Sequence, residues 1–302
     1  MFYKKLLPNG RIHIYFCGLK IASYKKKNPR KSEFIILEGG IGNRLKALFS
    51  FLRLCHVPGK KVFIYWKKEG TSVNNDFHEL FDFNVCSLKE ISEYTYVFQP
   101  LLTGWRLLLK KGELSEFFEQ TYPRESDNPS LPTIDFEYNR IPQNIRDLYL
   151  PYFEQLKPSL SVISRMKQIQ MPKKYVAVHI RLSKEWAFWN RGGYEQIPLF
   201  IKEMKKYPKD TVFFLASFDF YVSETIKKAF PGRIIELPDK NLESSIDAVA
   251  ELYLLSKGTE LIATYGSTFS EVAWWLSGCS QKVNVVGSRK NWKNDGHPDN
   301  VK

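Results

Sequence analysis

The sequence predicts an α/β protein made of two Rossmann-like domains that face each other across a cleft. Three observations point there. Short apolar runs of strand length alternate with helical periodicities about ten residues long, the pattern of parallel sheets joined by crossover helices. That alternation occurs in two blocks, 33–66 and 173–286. The length, 302 residues, is enough for two domains with a core each. Apolar residues at 43% and charged residues at 25% belong to a globular chain and exclude a disordered or collagen-like one.

Taken in order, Phe34-Ile-Ile-Leu37 is a buried-strand run, and a glycine turn follows it. Leu45, Leu48, Phe49, Leu52 and Cys55 then recur with a helical period, and residues 62–65 form the next strand. Residues 67–170 are rich in Pro, aromatic and polar residues. Helices are expected there near 106–119 and 143–156. From residue 173 the alternation is regular: strand 175–182, helix 196–206, strand 211–216, helix 220–229, a short strand at Ile234 and Ile235, helix 244–257, strand 261–265, helix 269–277 and strand 283–286. The expected division is 1–160 for the N-terminal, acceptor-side domain and 161–302 for the C-terminal, nucleotide-binding one. The Pro-punctuated residues 157–172 are the expected hinge.

The net charge is +13, and residues 1–31 hold nine Lys and Arg with no Asp or Glu. The basic excess is therefore mostly a feature of this leader. No run approaches the roughly 18 apolar residues of a spanning helix. Residues 12–22, the most apolar part of the leader, contain His13 and Lys20 and lack the clean core of a secretory signal. Cys17, Cys55, Cys86 and Cys279 are far apart and form no CxxC pair, so a reducing cytosol is expected, with neither a zinc site nor a disulfide framework.

Three turns carry chemistry. In Leu37-Glu-Gly-Gly-Ile-Gly-Asn-Arg-Leu45 the glycines let backbone N–H groups approach an anion, Asn43 is an expected helix cap, and Arg44 follows in the first turn. In Tyr175-Val-Ala-Val-His-Ile-Arg-Leu182 strand alternation places Val176, Val178, Ile180 and Leu182 on one face and Ala177, His179 and Arg181 on the other. An Arg at the carboxyl end of a parallel strand points toward the crevice where α/β proteins bind ligands, and its planar fork suits phosphate. In Leu261-Ile-Ala-Thr-Tyr-Gly-Ser-Thr-Phe-Ser-Glu271, Thr268 and Glu271 read as a capping box, so Gly266, Ser267 and Thr268 present hydroxyls and N–H groups at a helix start. Each turn alone also fits a merely structural role. Three of them across two domains favour a phosphate-bearing ligand in the cleft. The sequence has no GxxxxGK[ST], HExxH or GxSxG motif, and no Asp-x-Asp pair to hold a metal on a diphosphate.

These residues resemble the fucosyltransferase superfamily that uses GDP-fucose on a GT-B scaffold: protein O-fucosyltransferases, α1,6-fucosyltransferases and nodulation-factor enzymes. The resemblance is carried by Gly39-Gly-Ile-Gly-Asn-Arg-Leu45, His179-Ile-Arg-Leu-Ser-Lys-Glu-Trp186, Phe214-Leu-Ala-Ser-Phe-Asp219, Glu251-Leu-Tyr-Leu-Leu-Ser256 and Thr264-Tyr-Gly-Ser-Thr-Phe-Ser270. It implies an inverting, metal-independent transfer of fucose from GDP-fucose to a glycan hydroxyl. It further implies that Arg181 binds the β-phosphate and stabilises the departing GDP, that Gly42 and Asn43 approach the diphosphate or the reacting centre from the other domain, Asn43 with a catalytic role, and that Gly40 and Arg44 belong to the donor site. Ser267, Thr268 and Phe269 would close over the phosphates. Glu251 and the His179 backbone would contact guanine, with Asp247 able to take the place of Glu251, and Asp219 would lie near the donor. Glu185 is the first candidate base, Glu38 and Glu195 the others. The motif departs from the α1,6 enzymes in having Leu182 where they carry a second Arg, and Glu251 stands where an Asp is usual.

The expected partners are a nucleotide sugar and a glycan or lipid-linked oligosaccharide acceptor of bacterial surface-polysaccharide biosynthesis. The expected location is cytoplasmic, with the amphipathic, Lys-rich leader able to hold the protein on the anionic inner face of the membrane. The competing readings are a GT-B transferase with another nucleotide sugar, and a basic protein that binds a membrane surface or nucleic acid. No RRM, KH or helix-turn-helix pattern is present, so nucleic acid is not an expected partner.

Overall fold

The computed structural model describes residues 2–6, 11–16, 19–25, 34–54, 56, 59, 61–68, 73–88, 107–110, 112–115, 133–134, 141–182 and 193–287. The chain opens with three strands, β1 (Phe2–Leu6), β2 (Arg11–Phe16) and β3 (Leu19–Lys25), paired antiparallel in sequence order. The register runs from Phe2↔Phe16 to Leu6↔Ile12, then from Arg11↔Lys25 to Phe16↔Leu19 with a shift between Ile14 and Tyr15. The described part of the basic leader is thus a sheet meander. Its period is two, with Ile12, Ile14 and Phe16 alternating with His13 and Tyr15.

β4 (Phe34–Leu37), α1 (Ile41–Leu54) and β5 (Phe63–Trp66) form the first expected block, and β4 and β5 pair in parallel from Phe34↔Phe63 to Leu37↔Trp66. α2 (Phe77–Leu80) and β6 (Phe81–Asp82) follow, and β7 (Cys86–Ser87) adds a third strand on the far side of β5. Leu107–Leu108 is β8, paired antiparallel with β9 (Thr133–Ile134). The helix expected over 106–119 is therefore absent from the described residues there. Leu107, Leu108 and Leu109 are all buried, which a strand in a core permits and an amphipathic surface helix does not. The second expected helix is present as α3 (Gln143–Gln155).

Residues 157–172 are not a free hinge. They hold β10 (Lys157–Pro158), paired with β6, and α4 (Leu160–Met166), capped by the Ser159 hydroxyl and packed against a helix of the C-terminal half. Proline opens this segment without loosening it, because the Ser159 hydroxyl also donates to the carbonyl of Glu79 at 2.6 Å.

The C-terminal half follows its expected alternation closely. It comprises β11 (Val176–Ile180), α5 (Ile197–Met204), β12 (Phe213–Ser217), α6 (Phe220–Ala229), β13 (Ile234–Ile235), α7 (Ser245–Ser256), β14 (Glu260–Thr264), α8 (Thr268–Leu276) and β15 (Lys282–Val286). Its five strands are all parallel, in the order β13-β12-β11-β14-β15. One sheet face packs Val176, Val178, Ile180 and Leu182 against Ile197, Phe200, Val222 and Ile226 of α5 and α6. The other face, with Ala177, Phe214, Ala216 and Ala263, packs on α7 and α8. That second core continues without a break into Ile35, Leu37, Leu48, Phe49 and Ile64 of the first block. Each large side chain fully buried there contributes about 1.5–3 kcal/mol, so the two parallel sheets share one apolar layer. Among the described residues no helix is long and apolar enough to cross a membrane.

Candidate active site

In the C-terminal sheet the chain runs outward from β11 to β12 and β13, then returns to place β14 on the other side of β11. The strand order reverses between β11 and β14, and ligands of open α/β sheets bind outside the carboxyl ends at such a point. Arg181 follows β11 and Ser267 follows β14, so both stand at the switch point. The ladder between the two strands pairs Val176 through Val178 with Glu260 through Ile262. Beyond it the Thr264 hydroxyl takes over, donating to the His179 carbonyl at 2.8 Å and accepting from the Arg181 N–H at 2.8 Å. The backbone that carries Arg181 is thereby fixed. Its guanidinium lies 4.0 Å over the Phe218 ring, at the end of β12.

Two helix starts converge beside it. Gly39, at φ +84°, makes the turn after β4, and α1 begins at Ile41, with the Arg44 N–H donating to the Gly40 carbonyl. Asn43 therefore lies in the first helical turn and is not the cap that was expected. Its side-chain oxygen is buried with no hydrogen-bond partner among the described residues. α8 is capped by Ser267, whose hydroxyl accepts from the Ser270 N–H, and not by Thr268. Glu271, the expected member of a capping box, instead pairs with Lys46 of α1 at 2.5 Å and accepts from Trp275 Nε1, all in the core. The Cβ of any other residue at Gly42 would stand 2.7 Å from the Thr268 carbonyl oxygen, so glycine is what lets the two starts meet. Both present unpaired first-turn N–H groups and positive dipole ends.

His179 is buried beneath this junction. Its Nδ1 is 2.7 Å from the Ser270 hydroxyl, and its ring lies 5.0 Å from that of Phe269. Burial, helped by the nearby charges of Arg181 and Lys240, pushes the imidazole down to about 3, so it is neutral at physiological pH.

α7 forms another wall of the cleft. Glu251 projects from it, 6% exposed, with Lys240 Nζ at 2.7 Å. Burial pushes this carboxyl up to about 7, against the pull of Lys240. Asp247, one turn earlier, is held by Arg165 of α4 through two bonds of 2.7 and 3.0 Å and by the Asn241 N–H. It is committed to the scaffold, which leaves Glu251 as the other buried carboxylate of this wall.

The space enclosed is about 500 Å³, within the range of small-molecule sites. Of the residues expected from sequence, Gly40, Gly42, Asn43, His179, Arg181, Glu251, Ser267, Thr268 and Phe269 line it together. Arg44 and Asp219 do not. The Arg44 guanidinium is buried, donates to the Gly39 carbonyl at 2.7 Å and stacks 4.5 Å over Trp66, so it braces the glycine turn from below. Desolvation lowers it to about 10, and it keeps its charge. Asp219 caps α6 by accepting from the Val222 N–H and also accepts from the Tyr194 hydroxyl at 2.6 Å. Of the candidate bases, Glu38 pairs with Lys67 and Glu195 accepts from the Gly193 N–H, both away from the cleft lining, and Glu185 lies outside the described residues. Sequence reasoning named Phe218 only as part of the 214–219 motif, with no role of its own, and missed Lys240 and the 241–245 loop, neither of which carries a motif. The only signal was their place between β13 and α7, again at the carboxyl ends of strands.

No family model and no curated protein matches the chain. Solved structures do. NodZ, a fucosyltransferase from Bradyrhizobium, matches over 80% of this chain and 92% of its own at 18% identity and TM-score 0.48. A variant of Arabidopsis thaliana FUT1 in complex with GDP matches over 89% and 72% at 14% identity and TM-score 0.49. POFUT1 in complex with GDP-fucose matches over 87% of this chain and 99% of its own at 12% identity and TM-score 0.50. At such identities the likeness is one of fold, and with POFUT1 the chain shares the GT-B arrangement of two Rossmann-like halves about a cleft.

Proposed function

We propose that this protein is a glycosyltransferase that moves fucose from GDP-fucose to a glycan hydroxyl, with inversion and without a metal cofactor. The observation that carries the reading is that Arg181, the starts of α1 and α8 and the Glu251 carboxylate line one cleft. The cation and the helix starts suit a diphosphate, and the carboxylate suits a base with N–H donors. The fold shared with POFUT1, solved with GDP-fucose, supports the choice of donor.

In this reading the acceptor oxygen attacks C1 of the sugar. The bond from C1 to the β-phosphate oxygen breaks, and its electron pair leaves with GDP. Negative charge grows on the diphosphate as the sugar takes on oxocarbenium character. The Arg181 guanidinium and the N–H groups at Thr268 and Phe269 are already in place for that charge, so they stabilise the transition state more than the ground state. Asn43, also in the cleft lining, is assigned to the reacting centre. Glu185, five residues after β11 in the sequence, is the residue assigned to take the acceptor proton. The acceptor is a glycan or a lipid-linked oligosaccharide of surface-polysaccharide biosynthesis.

The test is release of GDP from GDP-fucose in the presence of candidate glycans and EDTA. Turnover should persist in EDTA, and Arg181→Ala should lower kcat by about 10²–10³, the loss seen when one preorganised donor is removed. Full activity of folded Arg181→Ala, or a strict requirement for a divalent cation, would contradict the reading.

A further inference from the structure

Lys240 is not an ordinary surface lysine. Its side chain is 14% exposed, and its ammonium donates to the Ser217 carbonyl at the end of β12 and pairs with Glu251 Oε1 at 2.7 Å. The loop that presents it is held on several sides. Arg165 of α4 donates to the Pro238 carbonyl at 2.6 Å, Asn241 is tied to Asp247, and the Asn74 side chain donates to the Glu243 carbonyl at 2.9 Å. The ammonium is therefore delivered to one place, the cleft wall beside Glu251.

Glu251 needs a cation there. Burial disfavours its charge, and Asp247 on the same helix and Glu236 beyond β13 repel it further. Arg165, from α4, is engaged by Asp247. His179, from β11, is neutral. Of the charged groups around it, Lys240 is the one in direct contact. A neutral carboxylic acid can no longer offer both oxygens to N–H donors, whereas a carboxylate can.

We propose that Lys240 is a specificity-determining residue of the donor site, holding the buried Glu251 as an ionised acceptor for the ring and exocyclic N–H groups of the nucleobase. This rests on the reading of the cleft as a nucleoside diphosphate-sugar site. Lys240 acts through Glu251, so it is a positioning residue and does not take part in the transfer.

The experiment is calorimetric titration of GDP and IDP, which lacks the 2-amino group, into wild type, K240M and K240R from pH 6 to 9. In wild type, GDP affinity should fall below pH 7 as Glu251 takes a proton. In K240M the midpoint of that fall should move up by at least one pH unit, with GDP bound about tenfold more weakly at pH 7 and the loss regained near pH 9. The GDP-to-IDP preference should collapse with it at pH 7. K240R should restore the wild-type profile, which a merely structural defect in K240M would not predict together with recovery at high pH. If wild type binds GDP and K240M keeps the same affinity and the same midpoint, the proposal is overturned alone. If wild type binds no nucleoside diphosphate, the donor reading falls and the proposal with it.

Discussion

A buried imidazole without a charge records how much of this site is scaffold. His179 and Arg181 were legible as neighbours on one strand face because the period of a strand is two, and the structure places both at the switch point. What the strand pattern could not carry was the partner of each side chain. Glu271 pairs with Lys46, which is 225 residues away in the chain, and Lys240 meets Glu251 across a loop. No local periodicity encodes such pairs. Asp219 and Arg44 fall outside the cleft lining for a related reason: a short carboxylate before a helix and an Arg after glycines serve capping and bracing as readily as a ligand. The lowered pKa of His179 gives a prediction at this scale. The unfolded chain binds the proton near pH 6.5 and the folded one only near 3, so stability is fully present above about 6.5 and is lost as pH falls toward 3. Between pH 7 and 5 this amounts to about 2 kcal/mol. His179→Gln should lose some stability at pH 7, from the Ser270 bond, yet show a smaller drop between pH 7 and 5 in urea titrations. An equal drop in both proteins would show that the imidazole is not held neutral.

α1 and α8 are the elements on which the account depends. Their existence and approximate limits followed from helical periodicity, and those of α3, α5, α6 and α7 did too. The starts shifted by a residue or two, because caps are chosen by hydrogen bonds that composition does not reveal: Ser267 caps α8 in place of Thr268. Residues 157–172 were read as a hinge from their prolines, although a strand pair and a capped helix fix them. The contact between the two helix starts was not legible at all, since nothing in the Gly40-Ile-Gly42 pattern says which glycine faces a neighbour. The structure distinguishes them. A Cβ at Gly42 would meet backbone atoms of Thr268 at 2.7 and 2.8 Å, whereas one at Gly40 has nothing within 4 Å. Gly42→Ala should therefore push the helix starts apart, cost about 1–3 kcal/mol as overpacked sites do and weaken GDP binding at least tenfold. Gly40→Ala should have a clearly smaller effect on both. Equal effects in thermal melts and titrations would remove the close approach from the argument.

At the scale of the whole molecule, the α/β class and the regular C-terminal half were readable because five strands and their helices follow one another with short connections. The layer that joins the halves was not, because it is made of contacts between residues 35–64 and 249–275 that only the fold brings together. The charge of +13 also takes on a definite form. Nine of its cations lie in residues 1–31, whose described part is an antiparallel meander. The cations that bear on the cleft are few and placed, Arg181 over Phe218 and Lys240 beside Glu251. That this cleft takes a nucleoside diphosphate, with Arg181 for the phosphates and Glu251 for the base, is the central claim, and titration of the wild-type protein with GDP, UDP and ADP by calorimetry tests it most directly. The account predicts one site per chain that takes GDP at least tenfold more tightly than UDP or ADP. Equal affinity for the three, preference for another base, or no binding of any would contradict it.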